Sequence, residues 1–176
     1  MNAALCLAPH FHLPGAWTDR LLVPEGDAWR APDEAELAAI VREPRTREEL
    51  AGCVCLFVIP AHLRSAFWAM LSRQAAEGDG DFVTFAQEVA RFLAFKQIPP
   101  PPGAAFELVL RLAGGPFDGA GVWAVVNLAD EPAFVARPGL RLRLGQGEGC
   151  RVPPGTDLDV LPPEGEEPGM LLIVRA

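Results

Sequence analysis

The chain has 176 residues, of which 50% are hydrophobic and 22% are charged, and its formal net charge at pH 7 is −8. This composition excludes a wholly disordered protein, and the acidic balance argues against a nucleic-acid partner, which requires clustered Lys and Arg. The 18 prolines and 17 glycines predict a folded protein with many turns, which favours short strands over long helices.

The N-terminal residues show no targeting signal. Residues 1–9 contain no basic residue, and no apolar run in the chain approaches the roughly 18 residues of a membrane helix. The four cysteines are too few for the disulfide framework of a small secreted domain. We therefore expect a cytoplasmic protein with reduced thiols and no membrane association. Lys96 is the only lysine among the 15 basic residues, a bias that indicates a GC-rich bacterial genome.

The segment from Cys6 to His12 is a candidate metal site. Cys6, His10 and His12 are its potential ligands, and on an extended segment the two histidines point to the same face. Two imidazoles and a thiolate can bind zinc or iron, and Cys53 and Cys55 could add sulfur ligands. The alternative is that the histidines are ordinary surface or core residues and that the two later cysteines act as small hydrophobes.

Helix signals begin at residue 33. Asp33 and Glu36 have the spacing of a capping box, and Thr46 with Glu49 repeats that spacing before a second short helix. The continuous apolar run Val54–Ile59 then predicts a fully buried strand.

Two longer helices are predicted next, over residues 61–76 and about 82–97. Both carry apolar residues at helical spacing. The phenylalanines of the second helix could suggest a cofactor site, but a stripe at this spacing is more typical of a core-facing helix surface.

A run of four prolines, Pro99–Pro102, divides the chain. Prolines end the preceding helix and favour a stiff, extended spacer. The predicted organisation is a mainly helical portion with one buried strand over residues 1–98, a proline-rich spacer over 99–103 and an antiparallel β-domain over 104–176.

After the spacer the apolar residues alternate with a period of two, as at Leu140–Leu144. Several short strands with turn residues between them predict an antiparallel sandwich or barrel. The strand at Val54–Ile59 can join this sheet, because the 73 residues from 104 to 176 are few for a complete barrel.

Two charge pairs lie in this β-region. Arg141 and Arg143 share one strand face, and Asp157 and Asp159 share another. If the two strands are neighbours, cross-strand ion pairs form, each worth about 0.2–1 kcal/mol. If they are not, the two arginines form a small anion-binding patch; the alternative is an ordinary solvated face of the sheet.

Residues 135–176, about a quarter of the chain, resemble the cupins, which are small β-barrels of the jelly-roll type. Gly147, Pro153, Gly155 and Leu158 follow the spacing of the second cupin motif, and residues 170–175 resemble the last cupin strand. Metal-binding cupins have a histidine where this chain has Leu158 and often an asparagine at its position 162, which is proline, and the HxH of their first motif is absent from residues 104–146. The resemblance therefore implies the fold but not the usual metal site.

The fold class we expect is α+β, with a helical N-terminal portion packed on a C-terminal antiparallel β-sandwich or barrel that is jelly-roll or cupin-like. The expected function is that of a bacterial cytosolic, non-catalytic module without a cofactor, which binds a small molecule or a protein partner; homo-oligomerisation is left open. One alternative is a metal-dependent cupin-like enzyme that acts on a small molecule, with Zn or Fe at Cys6, His10 and His12. Another is a structural subunit with an apolar face that needs a partner.

Overall fold

The computed structural model describes residues 11–12, 17–41, 45–77, 80–111, 120–156, 158–161 and 169–176. They form an α+β structure with two β-sheets, which confirms the predicted class at this level. The helices are α1 (Glu34–Ile40), α2 (Arg47–Ala51), α3 (Ala61–Glu77) and α4 (Gly80–Phe95), and a 3-10 helix spans Trp17–Arg20. The strands are β1 (Phe11–His12), β2 (Leu21–Glu25), β3 (Ala28–Arg30), β4 (Val54–Val58), β5 (Ala105–Arg111), β6 (Val122–Asn127), β7 (Ala133–Arg137), β8 (Leu140–Leu144), β9 (Glu148–Arg151), β10 (Asp159–Leu161) and β11 (Gly169–Arg175). No helix in these ranges is long and apolar enough to cross a membrane.

Both sheets combine strands from before and after the proline run. The six-stranded sheet has the order β1-β4-β9-β6-β11-β5, and the five-stranded sheet has the order β10-β7-β8-β2-β3. The two-residue β1 pairs parallel to β4, whereas the other described pairs are antiparallel. The apolar strand β4 lies beside β9, so it joins the sheet as its sequence suggested.

Apolar side chains fill the space between the two sheets. Alternate residues of β8 belong to this buried cluster, together with Val125 of β6 and Ile173 of β11. Arg141 and Arg143, which alternate with the buried leucines of β8, therefore lie on the outer face of the five-stranded sheet. This sheet buries one face against the core, which explains its alternating sequence.

The other face of the six-stranded sheet is covered by α3 and α4. Phe67 and Leu93 of these helices share a second buried cluster with Val126 and Leu172 of the sheet. The rings of Phe57 in β4 and Phe92 in α4 meet edge to face, with centroids 6.3 Å apart. The molecule thus has a helix layer, a central six-stranded sheet and an outer five-stranded sheet.

The predicted caps of the two short helices are present. The Asp33 carboxylate accepts a hydrogen bond from the Glu36 amide, and the Glu36 carboxylate accepts one from the Asp33 amide, both at 2.9 Å. Thr46 Oγ1 accepts a bond from the Glu49 amide at 3.1 Å, but the Glu49 carboxylate accepts from the amide of Arg45 instead of that of Thr46. The first signal is therefore a complete capping box and the second is a single cap.

Helix α4 ends in a tight turn with a glutamine at its bend. The Ile98 amide donates to the carbonyl of Leu93 at 2.9 Å, and the Gln97 amide donates to that of Ala94 at 3.0 Å. These two bonds define a Schellman motif, whose left-handed position is usually glycine. Gln97 occupies that position with φ of 63° and is the only described non-glycine residue with positive φ.

Candidate functional site

Three polar or charged side chains are buried in the described part of the chain: Asn127 in β6, and Glu148 and Arg151 in β9. All three belong to the six-stranded sheet, which has apolar clusters on both faces. Buried polar atoms there are shielded from bulk water, so each needs partners from the protein, from ordered water or from a ligand.

Asn127 has a complete set of protein partners. Its Nδ2 donates to the carbonyls of Glu131 and Leu144, both at 2.9 Å. Its Oδ1 accepts a hydrogen bond from the Ala129 amide at 3.1 Å. The side chain thus ties β6 to the turn that follows it and to the end of β8, which is a structural role.

Both carboxylate oxygens of Glu148 also have protein partners. Its Oε1 accepts hydrogen bonds from Nε and Nη2 of Arg20 at 3.1 and 2.7 Å, and its Oε2 accepts one from the Gly145 amide at 2.6 Å. The hydrogen bonds to Glu148 raise the pKa of Arg20 above its ordinary value. This ion pair joins the 3-10 helix to the start of β9.

Arg151 differs from these two residues. Its side chain is 6% exposed, and it lies in β9 with Cys55 of β4 and Ala124 of β6 as its cross-strand neighbours. Nη2 donates to the carbonyl oxygens of Leu50 at 2.5 Å and Cys53 at 2.9 Å. Nε is buried and has no hydrogen-bond partner. Within the described ranges no carboxylate forms an ion pair with this guanidinium.

The neighbouring thiol does not supply the missing negative charge. Cys55 Sγ lies 3.9 Å from Arg151 Nη2. Burial raises the pKa of the Cys55 thiol, and the positive charge of Arg151 offsets only part of that increase. Cys55 is therefore a neutral thiol near pH 7, and the guanidinium is a buried charge without a counter-charge in the described structure.

Arg151 lines a cavity of about 440 Å³ between α2, the end of α4 and the six-stranded sheet. This volume lies within the range of about 300–1,000 Å³ for small-molecule sites. The polar side chains of the lining are Arg151, Gln97 and the exposed Arg47, and the remaining lining residues are apolar: Leu50, Ala51, Ala94, Ile98, Pro99 and Trp123. A few polar groups on apolar walls are the usual composition of a ligand site.

A second cavity, of about 680 Å³, lies between α4 and the edge strand β5. Gln87 is its only polar lining residue among those described; the others are Phe82, Val83, Ala86, Ala90, Ala104, Phe106 and Leu108. It has apolar surface but no charged group to orient a ligand, so the Arg151 cavity is the better candidate.

The predicted arginine patch lies on the opposite side of the molecule. Arg141 is half-buried on the outer face of the five-stranded sheet, with its guanidinium carbon 4.4 Å from the ring centroid of Trp29, whereas Arg143 is exposed. Strand β7 separates β8 from β10, which carries Asp159, so the condition for direct cross-strand ion pairs with Asp159 is not met. Asp157 lies outside the described residues.

The predicted metal ligands fall mostly outside the described residues. Cys6 and His10 are not described, and His12 is described only as a backbone position in β1, in register with Cys55 of β4. Within the described ranges, no three His, Cys, Asp or Glu residues are grouped so that they could hold a metal ion. The zinc or iron site at Cys6, His10 and His12 stays a prediction.

The residues that carry the cupin resemblance have structural roles. Gly147 has φ of 75°, and its carbonyl accepts a hydrogen bond from the Ile59 amide at 2.8 Å. Gly155, with φ of 74°, lies in a turn closed by the Thr156 amide donating to the Pro153 carbonyl at 3.2 Å. Leu158 is buried in the cluster between the sheets.

Neither Arg151 nor its cavity has a recognisable signal in the sequence. In the sequence Arg151 stands between a cysteine and a valine just before two prolines, which is an ordinary setting for a strand end. Its burial depends on β4 and β6 flanking β9 and on α2 lying over them, and local patterning does not reveal these contacts.

Comparison with known proteins finds no relative: no family model, no curated protein and no solved structure matches the chain.

Proposed function

We propose that this chain is a non-catalytic, cytosolic binding module whose ligand is a small anion held beside Arg151. The observation that carries the proposal is the buried guanidinium, which has an unpartnered Nε and no carboxylate partner among the described residues. A buried charge is costly unless it is paired. An anion in the cavity that Arg151 lines would supply the missing counter-charge.

The chemistry of the lining favours binding over catalysis. The described lining residues are arginine, glutamine, tryptophan and aliphatic residues, without a side chain of the usual nucleophile or general-base types. The nearby Cys55 has a raised pKa, which opposes its use as a thiolate nucleophile. The described cysteines, Cys53, Cys55 and Cys150, are buried thiols, which fits the reducing cytosol.

The finer fold class that we propose is a jelly roll. Its support is the way in which consecutive strands alternate between the sheets: β7 and β8 pair in the five-stranded sheet, β9 pairs with β6 in the other, β10 returns to β7, and β11 crosses again to β5 and β6. Such crossings are typical of double-sheet jelly rolls, including cupins. Because apolar side chains fill the described space between the sheets, the ligand site proposed here lies on the helix side of the six-stranded sheet.

The proposal is tested by anion-dependent stabilisation of two arginine variants. Sodium benzoate and sodium phosphate are titrated separately into the full chain at constant ionic strength, and the free energy of unfolding is measured by urea denaturation. At ten times its Kd a ligand of the native state adds about 1.4 kcal/mol. We expect this gain for at least one anion in the wild type, its loss in Arg151→Met and its retention in Arg143→Met.

The two variants separate the cavity from the outer arginine patch. A gain that disappears in Arg143→Met and persists in Arg151→Met would place the anion on the patch and overturn the proposal, as would no gain with either anion. If Arg151→Met does not fold, Arg151→Lys keeps the charge but removes the planar fork. We expect that variant to bind the anion more weakly than the wild type.

A further inference from the structure

We infer that the anion is an organic carboxylate with a compact apolar body, and that Gln97 is a specificity-determining residue for it. This inference rests on the proposed binding function and names the ligand class of the same cavity. It follows from the charge available in the cavity, from the apolar lining and from the backbone conformation of Gln97.

The buried charge in the cavity matches a monoanion. Arg151 is the only buried charged residue among those that line it, and its Nη2 already donates to two backbone carbonyls. Arg47 is exposed, so solvent and salt screen its charge. A carboxylate brings one negative charge and accepts hydrogen bonds in the plane of a guanidinium, whereas a phosphate dianion would carry a second charge without a buried partner.

An inorganic anion would leave the apolar residues of the cavity lining without a contact. Trp123 and Ile98 are each 8% exposed, belong to the buried cluster beneath the helices and line the cavity beside Arg151. Contact with an apolar ligand body would remove the remaining apolar surface from water, which is favourable. A molecule with a carboxylate at one end and a ring or branched chain at the other satisfies both parts of the lining.

Gln97 supplies the evidence for a selective contact. It is an exposed residue that lines the cavity, and its backbone is held at φ of 63° in a position where glycine is the usual residue. Left-handed backbone in a non-glycine residue is strained, and such strain concentrates at functional sites. An amide at this position can donate a hydrogen bond to the second carboxylate oxygen or accept one from a polar substituent.

The ligand class is tested with four probes of matched shape or charge: benzoate, its neutral analogue benzamide, acetate and inorganic phosphate. Binding to the full chain is measured by isothermal titration calorimetry. We expect benzoate to bind at least tenfold more tightly than each of the other three. Tighter binding of phosphate than of benzoate would overturn the carboxylate class, and tighter binding of acetate would overturn the apolar body of the ligand. Either result would leave the proposed anion-binding function intact. Absence of binding by all of the anions would overturn both.

The role of Gln97 is tested by Gln97→Gly and Gln97→Asn. The glycine variant relieves the backbone strain, so its melting temperature without ligand should rise, while its benzoate affinity should fall about fivefold because the amide is lost. The asparagine variant keeps an amide and tolerates the same backbone conformation, so it should retain more affinity than the glycine variant. Equal benzoate affinity in the wild type and Gln97→Gly would overturn the specificity role.

Discussion

The two sheets differ in what covers their outer faces, and their sequences reflect that difference. Residues Trp123–Asn127 of β6, in the six-stranded sheet, are all buried, because helices lie on one face and the second sheet on the other. In the five-stranded sheet, β8 buries its three leucines and places Arg141 and Arg143 on the outer face. A charge on the five-stranded sheet is therefore ordinary, whereas a charge within the six-stranded sheet requires a specific partner.

The arginines of the two sheets show this contrast directly. Arg141 packs its guanidinium against Trp29 at 4.4 Å and remains half-buried on the surface. Arg151 is buried in a sheet covered on both faces, and its Nε lacks a partner. Arg151 is therefore the more informative of the two arginines, because its described surroundings leave its buried Nε without a partner.

The largest expected effect tests whether β11 is covered on both faces. Leu171 and Leu172 are neighbours that belong to different apolar clusters. Leu171→Ala and Leu172→Ala should each reduce the free energy of unfolding by about 2–5 kcal/mol, measured by urea denaturation followed by tryptophan fluorescence. Two neighbouring positions of β8 provide the comparison. Leu142→Ala should reduce the free energy of unfolding by about as much, whereas Arg143→Ala should reduce it by at most about 0.5 kcal/mol. A cost below about 1 kcal/mol for Leu172→Ala would contradict the helix-covered face.

The next effect tests close packing at Gly149, in the middle of the six-stranded sheet. A Cβ there would lie 2.6 Å from two ring atoms of Phe57 and 2.7 Å from the carbonyl oxygen of Val125. Because the backbone oxygen cannot move cheaply, Gly149→Ala should cost about 1–3 kcal/mol or more in urea denaturation. Gly52→Ala is the control, since its Cβ would meet nothing closer than 3.6 Å. Equal stability of the two variants would show that β4, β6 and β9 are less tightly packed.

The pH dependence of the free energy of unfolding at alkaline pH tests whether Cys150 is buried in the core between the sheets. Burial raises the pKa of Cys150 from its ordinary value of 9.0 to about 12. Below pH 9 the Cys150 thiol is protonated in both the folded and the unfolded chain. Between pH 9 and 12 the unfolded chain loses this proton and the folded chain keeps it, so the free energy of unfolding falls as the pH rises. The loss at pH 10 should be about 1.4 kcal/mol. The slope of the free energy of unfolding between pH 8 and 10 should be smaller in Cys150→Ala, and identical slopes would exclude this thiol as its source.

The smallest effect concerns the outer face of the five-stranded sheet. Removal of the guanidinium in Arg141→Ala should cost about 0.5–1 kcal/mol, because a partly exposed cation over an aromatic ring contributes an amount of this order. Arg143→Ala provides the comparison on the same strand face, and chemical denaturation of both variants measures the difference. A cost above about 2 kcal/mol for Arg141→Ala would mean that this face is more deeply covered than β8 indicates.

Patterns set by near neighbours in the chain could be predicted from the sequence. The capping box at Asp33 and the alternation in β8 are present as expected, because each depends on residues a few positions apart. The second long helix is predicted over about 82–97, whereas α4 spans Gly80–Phe95, because the turn at Gln97 ends the helix earlier. Arg151 could not be selected in this way, because its burial is set by α2, β4 and β6 together.

The pairing of β4 with β9 also determines when the candidate site can exist. The contact between Cys55 and Arg151 spans 96 positions, and the hydrogen bond from Arg151 to Leu50 spans 101. Contacts between distant segments carry a large loop-closure cost and are typical of slowly folding topologies. During synthesis the carbonyls of Leu50 and Cys53 emerge long before the guanidinium that they hold. We therefore expect the proposed anion affinity to appear late in folding, once β4 has paired with β9.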